Sequence, residues 1–115
     1  MSNKKVVETY VEGCNTGDKA KILSCLANDV VWEMPGSFNL KGKDQFEKEI
    51  SSWEVYPIIS ISQLVEEGNI VVAEGKVKCE LKNGGFIDAM FCELFHFDEG
   101  KIKKLTTYHI EKKKA

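Results

Sequence analysis

Val7, Tyr10, Val11 and Cys14 recur three and four residues apart, which draws one apolar stripe along a helix from about Asn3 to Asn15. Gly17 stops it, because glycine enters a left-handed cap at little steric cost. Asp18 is placed to cap a second helix, Lys19 to about Ala27, with Ile22, Leu23 and Leu26 as its buried face. Asn28-Asp29 breaks that helix. The β-forming run Val30-Val31-Trp32 then predicts a short strand ended by Pro35-Gly36. Ser37 to Lys41 reads as a loop. A third helix runs from about Lys43 to Trp53, with Phe46, Ile50 and Trp53 on one side.

After Pro57 the period changes from helical to alternating. Ile58 to Glu66 predicts a strand, turned by Gly68-Asn69. Ile70 to Leu81 places Val71, Ala73, Val77, Cys79 and Leu81 on one face and Glu74, Lys76, Lys78 and Glu80 on the other. Asn83-Gly84 is a strong hairpin signal. Phe86 to Phe97 and Lys101 to Glu111 predict a final hairpin around Asp98-Glu99-Gly100. Helices first and an antiparallel meander last indicate an α+β fold. Helices packed across a twisted sheet can leave a hollow between the layers.

The run Ala89 to Phe97 breaks the pattern, since both of its faces are apolar. Phe91, Phe95 and Phe97 share a face with Glu93; Met90, Cys92 and Leu94 share the other with His96. Glu93 is therefore expected to be hemmed by carbon. A carboxylate without a partner there would be held neutral near pH 7 by a raised pKa. The plainer alternative is a lysine-paired glutamate at a sheet edge or a dimer contact.

Composition changes this picture little. The chain has 115 residues, 43% hydrophobic and 30% charged, which suits one soluble domain of about residues 5–112 with a 113–115 tail. A net charge of −2 offers no global pull toward nucleic acid or an anionic membrane, and no nucleic-acid motif is present. Lys112, Lys113 and Lys114 read as a solvated terminus. No apolar window approaches the roughly 18 residues of a membrane span, and Glu8, Thr9 and Glu12 interrupt any signal-like run. The four cysteines, Cys14, Cys25, Cys79 and Cys92, form no C-x-x-C pair, so reduced buried thiols in a cytoplasmic protein are expected, with no metal site. Neither a phosphate-binding glycine loop nor a nucleophile elbow occurs, and no cofactor is expected.

The stretches Tyr10-Val11-Glu12-Gly13-Cys14-Asn15-Thr16-Gly17-Asp18, Leu26-Ala27-Asn28-Asp29-Val30-Val31-Trp32, Pro35-Gly36 and Leu40-Lys41-Gly42-Lys43 resemble the SnoaL-like, nuclear-transport-factor-two-like superfamily. Ketosteroid isomerases, polyketide cyclases and limonene epoxide hydrolases belong to it. The resemblance covers about Lys5 to Lys112. It implies a cone-shaped, curved antiparallel sheet wrapped around the long first helix, a cavity open at one end, and a homodimer through the outer sheet face. It also implies a small apolar ligand, such as a carbonyl compound.

Within that resemblance Tyr10 matches the isomerase tyrosine and Glu93 its protonated acid, a pair able to hold an oxyanion. The plainer reading of Tyr10 is a core tyrosine. The isomerase base position, before Pro35, is Met34, which takes no proton. Glu33 is next to it and would face inward only if a bulge turned it; otherwise it faces solvent. His109 is implied to line the cavity with Leu105 and Thr107 and could act as a base, or could simply touch solvent near a strand end. His96 is expected on the outer face. Trp32, Met34, Phe46, Trp53, Phe91, Phe95 and Thr107 are the expected ligand-binding wall, with Phe38 and Tyr56 as core or wall. Epoxide hydrolase chemistry requires an inward Asp-Arg-Asp set, and the chain has no arginine. Two functions stay open: a cofactor-independent acid–base enzyme of isomerase or cyclase type, and a non-catalytic ligand-binding or dimerisation module. A protein-interaction platform is a weaker third.

Overall fold

The computed structural model describes residues 2–53 and 55–112. Lys113 and Lys114, part of the expected lysine tail, lie outside the described residues. Three helices, α1 (Asn3–Thr16), α2 (Lys19–Ser24) and α3 (Lys43–Ser51), accompany six strands. These are β1 (Leu26–Met34), β2 (Phe38–Lys41), β3 (Ile58–Glu67), β4 (Ile70–Glu80), β5 (Phe86–Asp98) and β6 (Lys101–Glu111). They form one curved, unclosed sheet in the order β2-β1-β6-β5-β4-β3. Neighbours are antiparallel except β1 and β6, which run parallel.

The caps behave as the sequence indicates. Gly17 ends α1 at φ 69°, and the Asp18 side chain accepts from the Lys21 N–H at 3.0 Å. Two boundaries differ. The second helix stops at Ser24 rather than near Ala27, because Leu26 already pairs with Ile102, whose N–H donates to the Cys25 carbonyl at 2.9 Å. Long-range strand pairing outweighs local helix propensity there. Asn28-Asp29 lies inside β1, where the register with β6 shifts, so it is an irregularity of a strand and not the end of a helix.

Ser37 to Lys41 is not simply a loop. Pro35-Gly36 turns the chain back, Met34 pairs with Phe38, and β2 adds an edge strand beside β1. α3 also ends at Ser51, two residues earlier than expected, although the Trp53 N–H still donates to the Ile50 carbonyl.

The core lies between the inner sheet face and the helices. Val7, Ile22, Phe46, Phe95 and Leu105 are fully buried in it. α1 packs against β3 and β4, and α3 against β1 and β2. The helices therefore cover opposite ends of the sheet. A register shift between Ile61 and Gln63 bends β3, and Gly75 sits opposite Ile61 at that bend. A side chain on Gly75 would collide with the Ser60 carbonyl, so the strands approach closely only because it has none.

Candidate functional site

Between α1, α3 and the inner sheet face lies a cavity of about 540 Å³ with mostly apolar walls. α1 contributes Tyr10 and Cys14, and β1 contributes Trp32 and Met34. β5 contributes Phe91 and Glu93, and β6 contributes Thr107 and His109. Each pair is spaced two apart on a strand or four apart on a helix, so the alternation that builds the sheet also aims these side chains inward.

Glu93 is 7% exposed. Its Oε2 accepts from the Thr107 hydroxyl at 2.8 Å, and the Thr107 Oγ1 in turn accepts from the Trp32 indole N–H at 3.0 Å. Among the described residues no lysine or histidine makes an ion pair with Glu93. The lysine-paired alternative is thereby excluded. Burial pushes the Glu93 pKa up to about 7, and the Thr107 hydrogen bond pulls against that rise.

Tyr10 is held by edge contacts to Phe46 and Phe95, with ring centroids 6.4 Å and 5.6 Å away. Burial, with the Cys14 and Glu93 charges adding, drives its pKa well above the ordinary tyrosine value. Burial likewise pushes the Cys14 thiol up to about 12, against a hydrogen bond with Tyr10. Tyr10 and Cys14, one turn apart on α1, thus share the cavity with Glu93.

Trp32 is fixed from three sides. It stacks on Phe46 at 4.4 Å and 24°, and meets Phe38 and Trp53 edge-on at 5.0 Å and 6.3 Å. Trp53 also lines the cavity, and its indole N–H donates to Glu49 Oε2 at 3.0 Å. His109 lines the cavity while remaining exposed, which puts it at the mouth.

Four expected site residues are elsewhere. Phe46 and Phe95 are completely buried behind Tyr10 and Trp32, so they support the wall and do not form it. Leu105 is in the same position, directly opposite Phe95. Glu33 alternates with Trp32 and Met34, pairs with Asn39 and Thr106, and is not part of the lining. No bulge turns it inward, since the register at that end of β1 is regular. Glu49 lines the cavity and was not anticipated. Its four-residue spacing from Trp53 was the available signal.

Among the described residues no group of three His, Cys, Asp or Glu side chains could hold a metal ion. Among the described residues no helix is long and apolar enough to cross a membrane.

Residues 7–105 match the family model of the SnoaL-like domain. No curated protein matches the sequence. Solved structures do. An NTF2-like protein of unknown function from Burkholderia pseudomallei superposes with a TM-score of 0.82 at 20% identity, over 93% of this chain and 90% of its own. An M. tuberculosis LEH-like epoxide hydrolase gives 0.83 at 19%, over 91% and 80%. A Kribbella flavida protein provisionally described as a ketosteroid isomerase gives 0.83 at 14%, over 98% and 81%. At such identities the likeness establishes a shared fold.

Proposed function

The chain belongs to the SnoaL-like domain family, and from that premise we propose that its cavity binds a small, mostly apolar, uncharged carbonyl compound and performs cofactor-independent acid–base chemistry of isomerase or cyclase type. The observation that carries the reading is Glu93, a carboxyl buried in an apolar wall with no cation beside it. Protonated, it donates to a carbonyl oxygen and stabilises the charge that gathers there as an enolate forms. Among the described residues no lysine lines the cavity, and the chain has no arginine, so apart from a protonated His109 at the mouth an anionic ligand finds no counter-charge. The missing arginine also sets aside the chemistry named for the epoxide hydrolase relative.

His109 is the base in this reading. It lies two residues beyond Thr107 on the same face of β6, roughly 7 Å along the strand. That separation suits one side chain on a carbonyl oxygen and the other on a neighbouring carbon. His109 takes a proton from that carbon while Glu93 hydrogen-bonds the oxygen. The imidazolium then returns the proton to another carbon, or the enolate carbon attacks a second carbonyl of the same ligand, whose π bond opens to an alkoxide that takes the proton from the imidazolium.

One observation favours a second reading, binding without turnover. Met34 lines the cavity where the isomerase resemblance requires a base. Incubating a panel of cyclic ketones with the protein in D2O separates the two. Catalysis predicts deuterium uptake next to the carbonyl that is lost in Glu93→Gln and His109→Gln. Saturable binding with no uptake above the buffer rate would leave the binding module. The outer face of β5 and β6, where Met90 pairs with Ile110, fits a homodimer contact.

A further inference from the structure

Three neighbouring strands, β1, β6 and β5, carry one continuous hydrogen-bonded chain across the cavity wall: Trp32 to Thr107 to Glu93. We infer that Trp32 and Thr107 are positioning residues that decide which oxygen of Glu93 carries its proton, leaving Oε1 as the single donor to the cavity. The inference rests on the reading of Glu93 as the acid.

Donor and acceptor inventories fix the direction of each bond in the chain. An indole N–H only donates, so Trp32 occupies a lone pair of Thr107 Oγ1 at 3.0 Å. Threonine has one hydroxyl proton. With Trp32 on one side, that proton has Glu93 Oε2 as its acceptor, 2.8 Å away. The second lone pair of Oγ1 could take an Oε2–H only if the threonine proton turned to another acceptor, and among the described residues its one acceptor is Oε2, so Oε2 receives the bond whether the carboxyl is charged or neutral. When Glu93 is neutral its own proton sits on Oε1. Remove the indole donor and the threonine hydroxyl is free to rotate and accept from an Oε2–H. The acid would then point its proton into the wall.

The geometry that enforces this is rigid. Glu93 and Thr107 are direct cross-strand partners. Trp32 pairs with Leu105, so Thr107 is two residues further along the same face of β6. Stacking on Phe46, with Phe38 and Trp53 at its edges, blocks rotation of the indole. The remaining titratable groups around the cavity are Tyr10 and Cys14 from α1, Glu49 from α3, Cys79 from β4 and His109 from β6. None of them bonds Oε2. A site with one free oxygen prefers a ligand with a single acceptor, such as a ketone, over one that requires a two-oxygen clasp.

The test uses the full chain without ligand, with glutamate side-chain carboxyls labelled by carbon-13 and the Glu93 signal assigned by its absence in Glu93→Gln. Thr107→Val removes the bond to the carboxylate and should raise the Glu93 midpoint by about one pH unit, while Thr107→Ser restores it. Trp32→Phe keeps the stacked ring but lets Thr107 accept from the neutral acid, and should raise the midpoint in the same direction by about half a unit or more. A folded Trp32→Phe with the wild-type midpoint overturns the role of the indole. An unmoved or lowered midpoint in Thr107→Val overturns that of the hydroxyl.

Isotope-edited infrared spectra of the unmodified protein at pH 5 provide a measurement free of folding risk. The neutral Glu93 carbonyl should absorb at the lowered frequency of a hydrogen-bonded C=O and move up in Thr107→Val. A free-carbonyl frequency in the unmodified protein would mean that the proton faces Thr107, and the inference is wrong. Because no ligand is present, either result is independent of whether Glu93→Gln alters ligand affinity, which tests the underlying reading.

Discussion

The side-chain amide of Asn15 takes both backbone groups of Ile59: Nδ2 donates to the carbonyl at 3.0 Å, and the Ile59 N–H donates to Oδ1 at 2.7 Å. Ile59 belongs to β3, a border strand of the open sheet. One residue in the last turn of α1 therefore substitutes for a missing strand neighbour and anchors the helix to that border.

Asn15→Ala should destabilise the fold by about 2 kcal/mol, because two half-buried backbone groups lose their partners. Asn15→Asp keeps the acceptor and loses the donor, and should fall between the two. Urea unfolding monitored by tryptophan fluorescence gives both values. Equal stability of all three proteins would show that solvent replaces the amide without loss.

Glu93 should make stability depend on pH. Its pKa is about 7 in the fold against 4.5 for an ordinary glutamate. Between those values the folded chain keeps a proton that the unfolded chain releases. The contribution is complete at the acidic end and is lost as pH rises through about 7, a total of about 3 kcal/mol. Glu93→Gln lacks this dependence. The stability difference, variant minus unmodified, should therefore move in the variant's favour between pH 4.5 and pH 8. Parallel urea titrations with no such drift would place the carboxyl in contact with water.

Gly75→Ala should lose more than about 2 kcal/mol, since the added carbon meets the Ser60 backbone and not a movable side chain. Amide hydrogen exchange should show the loss concentrated at Ile59 and Ile61. Unchanged protection there would mean that β3 shifts at no expense.

Met90, Tyr108 and Ile110 are 48%, 49% and 71% exposed on the outer sheet face, too much apolar surface to leave in water without consequence. If two copies meet there, Ile110→Lys should convert a dimer to a monomer in light scattering, with the circular dichroism spectrum retained. A monomeric unmodified protein at high concentration would remove the dimer.

The strand content and the burial of Glu93 were legible because Phe91, Glu93, Phe95 and Phe97 repeat with a period of two in a stretch with no polar face. The link from Glu93 to Thr107 was not. Counting back from the Asp98–Gly100 turn places Glu93 opposite Thr106. The register slips by one between Phe97 and His96, bringing Thr107 across instead. The three-residue step from Ile102 to Leu105, both fully buried, is the trace of that slip in the sequence. β2 escaped notice because four residues pair only through their neighbour β1, a relationship without local periodicity. Phe46 and Phe95 stand behind the cavity wall and not in it, which the sequence does not reveal, because pattern gives the face of a residue but not its depth.

The sheet that surrounds the cavity never closes on itself. β2 and β3 form its two borders and share no ladder, so part of the chamber's wall is made by side chains alone, Phe38 and Trp53 among them, along an open seam. Its internal dimensions are thus a matter of what projects into it, independent of the backbone frame. One substitution along that seam resizes the space without breaking a single main-chain hydrogen bond, and the same frame can be re-tailored to a different guest.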